Sequence, residues 1–183
     1  MSASVKIPPS IFREYDIRGI AGRDLTPEFA ECLGHAYALS IGKRIPVAGR
    51  KKLTVSVGRD CRLTGDSYTE ALISGLRKGG LDVIRLGVCP TPLTYFSIFN
   101  MDLDGGIMVT GSHNPSEFNG FKMVIGGGAF FGDDIQELRG LIERDEMDSG
   151  AGTIEANGTV LERYVEAVVR RNGPLARPVK VVV

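Results

Sequence analysis

The sequence predicts an α/β protein built in layers, strands alternating along the chain with helices. Three observations predict it. Short runs rich in β-branched residues alternate along the chain with runs whose apolar residues recur at helical spacing. Glycine punctuates most of the change-overs, and the 24 glycines follow no collagen period. A hydrophobic content of 43% with 24% charged residues over 183 residues is the composition of a chain with a real core, not of a disordered one.

The elements follow in order. An N-terminal arm reaches Phe12 and is followed by a charged turn over residues 13–19, Arg-Glu-Tyr-Asp-Ile-Arg-Gly. Thr26 before Pro27 is an N-cap and first-turn pair, and Phe29, Cys32, Leu33, Ala36, Leu39 and Ser40 line one face of the helix it starts. Residues 53–57 read as a strand that enters a Gly58-Arg59-Asp60 loop. A helix from near Asp66 carries Ala71, Leu72, Gly75 and Leu76 and stops at Gly79-Gly80. Residues 81–86 form the next strand, and Thr91-Pro92 starts a short helix through Leu93, Phe96, Ile98 and Phe99.

Residues 105–110 form a strand that breaks at Gly111-Ser112-His113-Asn114-Pro115. Residues 121–125 make another strand, ended by three glycines. The helix of residues 133–144 places Ile135, Leu138, Leu141 and Ile142 on one face and Asp133 and Asp134 at its positive end. The small, polar segment 150–158 divides the chain into a first domain, residues 1–152, and the incomplete start of a second α/β domain, residues 153–183. The second opens with an amphipathic helix of Val160, Leu161, Tyr164, Val165, Val168 and Val169. A strand at 179–183 follows, and such an edge needs a partner.

Composition narrows the function. The 22 basic and 22 acidic residues cancel, so the chain has no general means of holding a long polyanion and nucleic acid is not an expected partner. A local cluster can still bind one phosphate. Cys32, Cys61 and Cys89 are odd in number and widely spaced, which fits neither a fully paired disulfide framework nor a zinc site. With no signal-peptide core in residues 1–10 and no long apolar run, the expected setting is cytoplasmic, without a membrane.

Four places carry chemistry. Ser112 sits between a glycine and an imidazole at the carboxyl end of a strand, where α/β proteins place ligand loops. A phosphate or catalytic loop and a plain structural turn both account for it. Lys122 interrupts an apolar strand ten residues later, which calls for a ligand or partner unless it snorkels from an edge. His113 is either a site residue or a turn hydrogen-bonder. Arg18 in Tyr15-Asp16-Ile17-Arg18-Gly19 offers a fork suited to phosphate oxygens or a local salt bridge. The charges of Gly58-Arg59-Asp60-Cys61-Arg62 either brace such a site or solvate the surface. Asp102-Leu103-Asp104 lacks a third ligand nearby, and Gly126 to Gly128 spell neither a P-loop nor a dinucleotide fingerprint.

These motifs, in this order and followed by Asn119-Gly120-Phe121-Lys122, resemble the N-terminal part of the α-D-phosphohexomutases, most closely the bacterial phosphomannomutase/phosphoglucomutase group. The resemblance covers nearly the whole chain. It implies the layered mixed-sheet domain of the phosphohexomutase type, with the truncated start of a second domain. It further implies that Ser112 is a phosphoserine exchanging its phosphoryl group with a hexose phosphate, and that His113 supports its loop. Lys122 serves proton transfer or charge support, Arg18 orients phosphate, and Asn114 and Arg59 are substrate-binding candidates. The implied reaction shifts phosphate between C1 and C6 of mannose or glucose through a bisphosphorylated sugar.

Magnesium is implied in the full-length enzyme, held by the phosphate on Ser112 and by three aspartates of a second-domain loop that this chain does not contain. Sugar- and phosphate-gripping loops of the later domains are absent as well. The expected partners are therefore a hexose phosphate and the remaining C-terminal domains of the same protein, and the isolated chain is not expected to have full activity. A phosphohexosamine mutase is the alternative enzyme, and a noncatalytic phosphate-binding or interaction module the alternative of another class.

Overall fold

A computed structural model of the chain describes residues 7–47, 49, 52–146, 149–174 and 176–182. After a 3-10 turn at Pro9–Ile11, the elements run β1 (Ile17–Ile20), α1 (Pro27–Arg44), β2 (Thr54–Arg59), α2 (Gly65–Lys78), β3 (Asp82–Val88) and α3 (Thr91–Asn100). They continue with β4 (Gly105–Val109), β5 (Phe118–Ile125), β6 (Gly128–Ala129), α4 (Asp133–Glu143), β7 (Ile154–Ala156) and α5 (Val160–Asn172). The strands form one mixed sheet in the order β1-β5-β4-β2-β3-β7, with β6 on β5. Strands β4, β2, β3 and β7 are parallel neighbours, while β5 runs antiparallel to both β4 and β1. This is the α/β layering the sequence pattern predicts, with the mixed sheet that the family resemblance implies.

The two sheet faces differ. Val55, Val57, Ile107, Val109, Phe121 and Met123 point to a large apolar layer made with α1, α2 and α4. Alternation sends Met108 to the other face, where a smaller cluster gathers Leu86, Cys89, Leu93 and Val160 beneath α3 and α5. Helix α1 begins where predicted, with Thr26 Oγ1 accepting from the Phe29 amide at 3.2 Å. Its buried set is wider than the predicted stripe and includes Ala30, Tyr37 and Ile41, because the helix lies between the sheet, α2 and α4. No helix among the described residues is long and apolar enough to cross a membrane.

Four sequence expectations change. Residues 17–20 are not part of a turn: they form β1, whose Arg18 sits opposite Gly120 of β5. Backbone pairing there outweighs the turn-like charge of the segment. Gly58 and Arg59 belong to β2 and pair with β3 and β4, so the loop starts at Asp60. Strand β5 begins at Phe118, three residues earlier than expected. Residues 178–182 form no strand, for no described strand lies beside them to complete a ladder; Val183 lies outside the described residues.

The segment expected to act as a boundary carries structure too. Ile154–Ala156 pairs in parallel with β3, and Tyr164 of α5 packs edge-on against Phe96 of α3 at 5.3 Å. Residues 154–164 are thus held against the first unit.

Candidate active site

Parallel pairing of β2 with β4 brings their carboxyl ends together, Arg59 opposite Val109, and the Asp60 amide donates to the Val109 carbonyl at 3.0 Å. The chain then leaves β4 through residues 110–117. At the first bend Ser112 adopts φ +53°, a left-handed conformation unusual for a residue with a side chain. The side chain is exposed, while Thr110 and Gly111 beside it are buried.

The loop is fastened through its backbone. Thr110 Oγ1 donates to Asp60 Oδ2 at 2.7 Å and accepts from the Ser112 amide at 2.8 Å, and the Gly111 amide donates to the same Asp60 oxygen at 3.1 Å. Arg62 crosses beneath the loop. Its Nη1 donates to the carbonyls of Pro115 (2.6 Å) and Phe118 (2.8 Å), and its Nη2 to those of Asn114 (2.6 Å) and Ser112 (3.3 Å). Nε is turned to Asp60 at 3.3 Å. Gly111 makes this approach possible, because a Cβ there would lie 2.1 Å from the guanidinium Cζ and Nε. A left-handed backbone at a non-glycine residue costs about 1–2 kcal/mol. Each hydrogen bond from a charged group contributes about 1.5–3 kcal/mol, so the clamp outweighs the strain.

Arg18 reaches the loop from the sheet. It is 5% exposed and donates to the Gly111 carbonyl and to the Asp16 carboxylate. Asn114 shares that carbonyl through its amide (3.1 Å) and its Nδ2 (3.0 Å). Lys122 donates to Asp16 Oδ2 at 3.0 Å. Register explains the trio: Arg18 faces Gly120 across the β1–β5 ladder, so Asp16, Arg18 and Lys122 project to one sheet face. Burial acts to raise the Asp16 pKa, but the hydrogen bonds and charges of Lys122 and Arg18 prevail and hold it below the ordinary 3.8.

The structure therefore joins Ser112, Asn114, Arg18 and Lys122 in one network, with Lys122 three hydrogen bonds from the loop, through Asp16 and Arg18 to the Gly111 carbonyl. Ser112 opens onto a cleft of about 870 Å³ lined by Asp60, Arg62, Thr64, Thr110, Ser116 and Glu117. Lys122 borders a second cleft with Tyr15, Phe99 and Phe131. His113 is exposed beside the serine. Arg59 lies apart from the loop: it pairs with Asp66 of α2 at 3.1 Å and donates to the Asp60 carbonyl at 3.3 Å. The sequence left bracing and surface solvation both open for the segment that holds Arg62, and did not single Arg62 out as a site residue. The signal that could have found it is the side-chain-free Gly111, which leaves room for a guanidinium beneath the loop.

Among the described residues no three His, Cys, Asp or Glu side chains cluster to hold a metal ion. The carboxylates of Asp60 and Asp16, which brace the loop, are engaged by Thr110, Arg62, Arg18 and Lys122. The described residues do not form a magnesium site by themselves.

An α/β/α layered domain with a clamped serine loop at the carboxyl edge of its parallel strands is the class that fold and site define. The chain belongs to the phosphoglucomutase/phosphomannomutase family: residues 9–149 match the family described as "Phosphoglucomutase/phosphomannomutase, alpha/beta/alpha domain I". It is 41% identical over 177 residues to a Pseudomonas aeruginosa protein named phosphomannomutase/phosphoglucomutase, covering 97% of this chain and 36% of that one. It is 40% identical over 160 residues to a phosphoglucomutase of Neisseria meningitidis serogroup B, covering 87% of this chain and 32% of the relative. A crystal structure of a phosphoglucomutase/phosphomannomutase family protein from Burkholderia thailandensis superimposes with a TM-score of 0.81 at 38% identity, over 90% of this chain and 36% of that one. A putative phosphomannomutase from Thermus thermophilus gives 0.74 at 29%, over 93% and 37%. The chain thus spans about a third of the length of the relatives it matches.

Proposed function

We propose that this chain is the phosphoryl-carrying part of an enzyme that interconverts hexose 1-phosphate and hexose 6-phosphate, with mannose or glucose as the sugar. The observation that carries the reading is Ser112, exposed and left-handed on a loop held through its amides and carbonyls. Such a mounting fixes where the hydroxyl points while leaving it to face the cleft. The names of the relatives supply the substrate class.

In the proposed cycle Ser112 carries a phosphoryl group. The free hydroxyl of the bound hexose phosphate attacks that phosphorus: the new O–P bond forms as the Ser112 Oγ–P bond breaks, and the hydroxyl proton leaves to a base. The product is a bisphosphorylated sugar. After it turns over in the cleft, Oγ attacks the other phosphoryl group and recovers it, so phosphate moves between C1 and C6 without net consumption. Catalysis of this kind depends on alignment and on charge stabilisation.

A phosphoserine brings about −1.5 to −2 charge. Arg18, Lys122 and Arg62 surround the loop that would carry it, with Asp16 and Asp60 as internal counter-charges, leaving a modest positive balance. Arg18 steadies the loop through the Gly111 carbonyl, Lys122 supplies charge or a proton from the adjoining cleft, and His113 flanks the serine. Later domains supply the sugar contacts, so turnover belongs to the complete enzyme. In that enzyme Ser112→Ala is expected to abolish conversion of mannose and glucose phosphates. Normal turnover by the alanine variant would remove Ser112 as carrier. A strong preference for glucosamine phosphate in competition would move the assignment to the amino-sugar mutases.

A further inference from the structure

We propose that Arg62, with Asp60 and Thr110, is the positioning device of the phosphoryl carrier, setting the reach of Ser112 without touching the transferred group. The inference rests on Ser112 being the carrier. Arg62 engages four carbonyls that span both sides of the bend, from Ser112 to Phe118, while Asp60 and Thr110 take the amides of Gly111 and Ser112. One carboxylate joins the two halves, since Asp60 Oδ2 accepts from Thr110 Oγ1 and from Arg62 Nε, and Oδ1 accepts from the Arg62 amide at 3.1 Å.

Every one of these contacts ends on backbone or within the clamp. The Ser112 side chain is left exposed to the cleft. A phosphoryl group can therefore come and go on Oγ without any clamp bond having to break, and the carrier returns to one position for both half-reactions. The task needs the planar guanidinium: two carbonyls on each Nη and a carboxylate on Nε require a fork that a lysine ammonium does not have. A displacement of about 1 Å at a reacting atom lowers rate on the order of 100-fold.

The test compares Arg62→Ala, Arg62→Lys and Thr110→Val with wild type and Ser112→Ala in the complete enzyme. For Arg62→Ala kcat should fall on the order of 100-fold with KM little changed, and guanidinium added below denaturing concentration should restore part of it. Arg62→Lys should remain well below wild type, and Thr110→Val, which loses the links to the Ser112 amide and to Asp60 but leaves the Arg62 fork on the four carbonyls, should fall about tenfold, a smaller share of that range. Thermal midpoints separate positioning from folding. Variants with lowered midpoints but wild-type kcat per folded molecule would overturn the inference, as would a raised KM at unchanged kcat. If Arg62→Ala does not fold, wild-type kcat in both Arg62→Lys and Thr110→Val does the same. An inactive Ser112→Ala beside fully active clamp variants sinks this inference alone, whereas an active Ser112→Ala sinks the carrier reading beneath it.

Discussion

Strand β5 is entered and left through two tight connections that solve the same backbone problem differently. Residues 110–117, which lead in from β4, contain a left-handed serine, Ser112 at φ +53°. The turn to β6 uses left-handed glycines, Gly126 at +57° and Gly127 at +79°. Where the connection only has to reverse the chain, glycine adopts the conformation without a side-chain clash. Where the bend must carry a hydroxyl, glycine is excluded at that position and the conformation is imposed from outside by Arg62, Asp60 and Arg18. The glycine appears one residue earlier, at Gly111, where it makes room for the clamp. A functional loop and a connecting loop are thus told apart by what holds them, not by their dihedral angles.

Gly111→Ala strikes the contrast hardest. The added methyl would displace the Arg62 guanidinium, so turnover of the complete enzyme should drop on the order of 100-fold, with stability lowered by about 3 kcal/mol. Kinetics and thermal unfolding read the two effects together, and wild-type activity would show that the clamp does not govern the serine.

Asp16→Asn comes next. It leaves the buried Arg18 and the adjacent Lys122 without their carboxylate, which should cost about 3 kcal/mol and lower turnover less than Gly111→Ala does. The pH dependence has a definite sign. Because the folded-state pKa of Asp16 lies below the unfolded value near 3.8, its stabilisation is present above about pH 4 and is lost as pH falls through the lower, folded value. Unfolding curves for wild type and Asp16→Asn should stay apart at neutral pH and converge in acid.

Gly127→Ala is the mildest. Its Cβ would meet Phe99 at 3.2 Å in a left-handed backbone, so a loss of about 1–2 kcal/mol is expected with kcat unchanged. A kinetic defect as large as that of Gly111→Ala would erase the distinction between the loops.

Much of this architecture is legible in the sequence, and the exceptions share a cause. The α1 cap at Thr26, the α2 stop at Gly79 and the strand before Ser112 are local signals, and each has its counterpart in the structure. Strand β1 escaped because Asp16 and Arg18 read as exposed turn charges, whereas a neighbour 102 positions away in the ladder lets them pair on a covered face. The serine motif announces itself. Its clamp does not, since Arg62 bonds to backbone carbonyls 50 to 56 positions distant, and carbonyls leave no trace in residue identity. Residues 154–156 read as a boundary for a similar reason: only the open edge of β3 makes them a strand.

The central claim is that Ser112 carries the phosphoryl group, and the most direct measurement follows a labelled phosphate. Complete enzyme phosphorylated with radiolabel is mixed with unlabelled hexose phosphate and quenched through the first turnover. Label should sit on the Ser112 peptide at time zero and appear in a bisphosphorylated sugar at a rate no slower than kcat. Label that never resides on Ser112, or that stays there while sugar phosphate is converted, would contradict it.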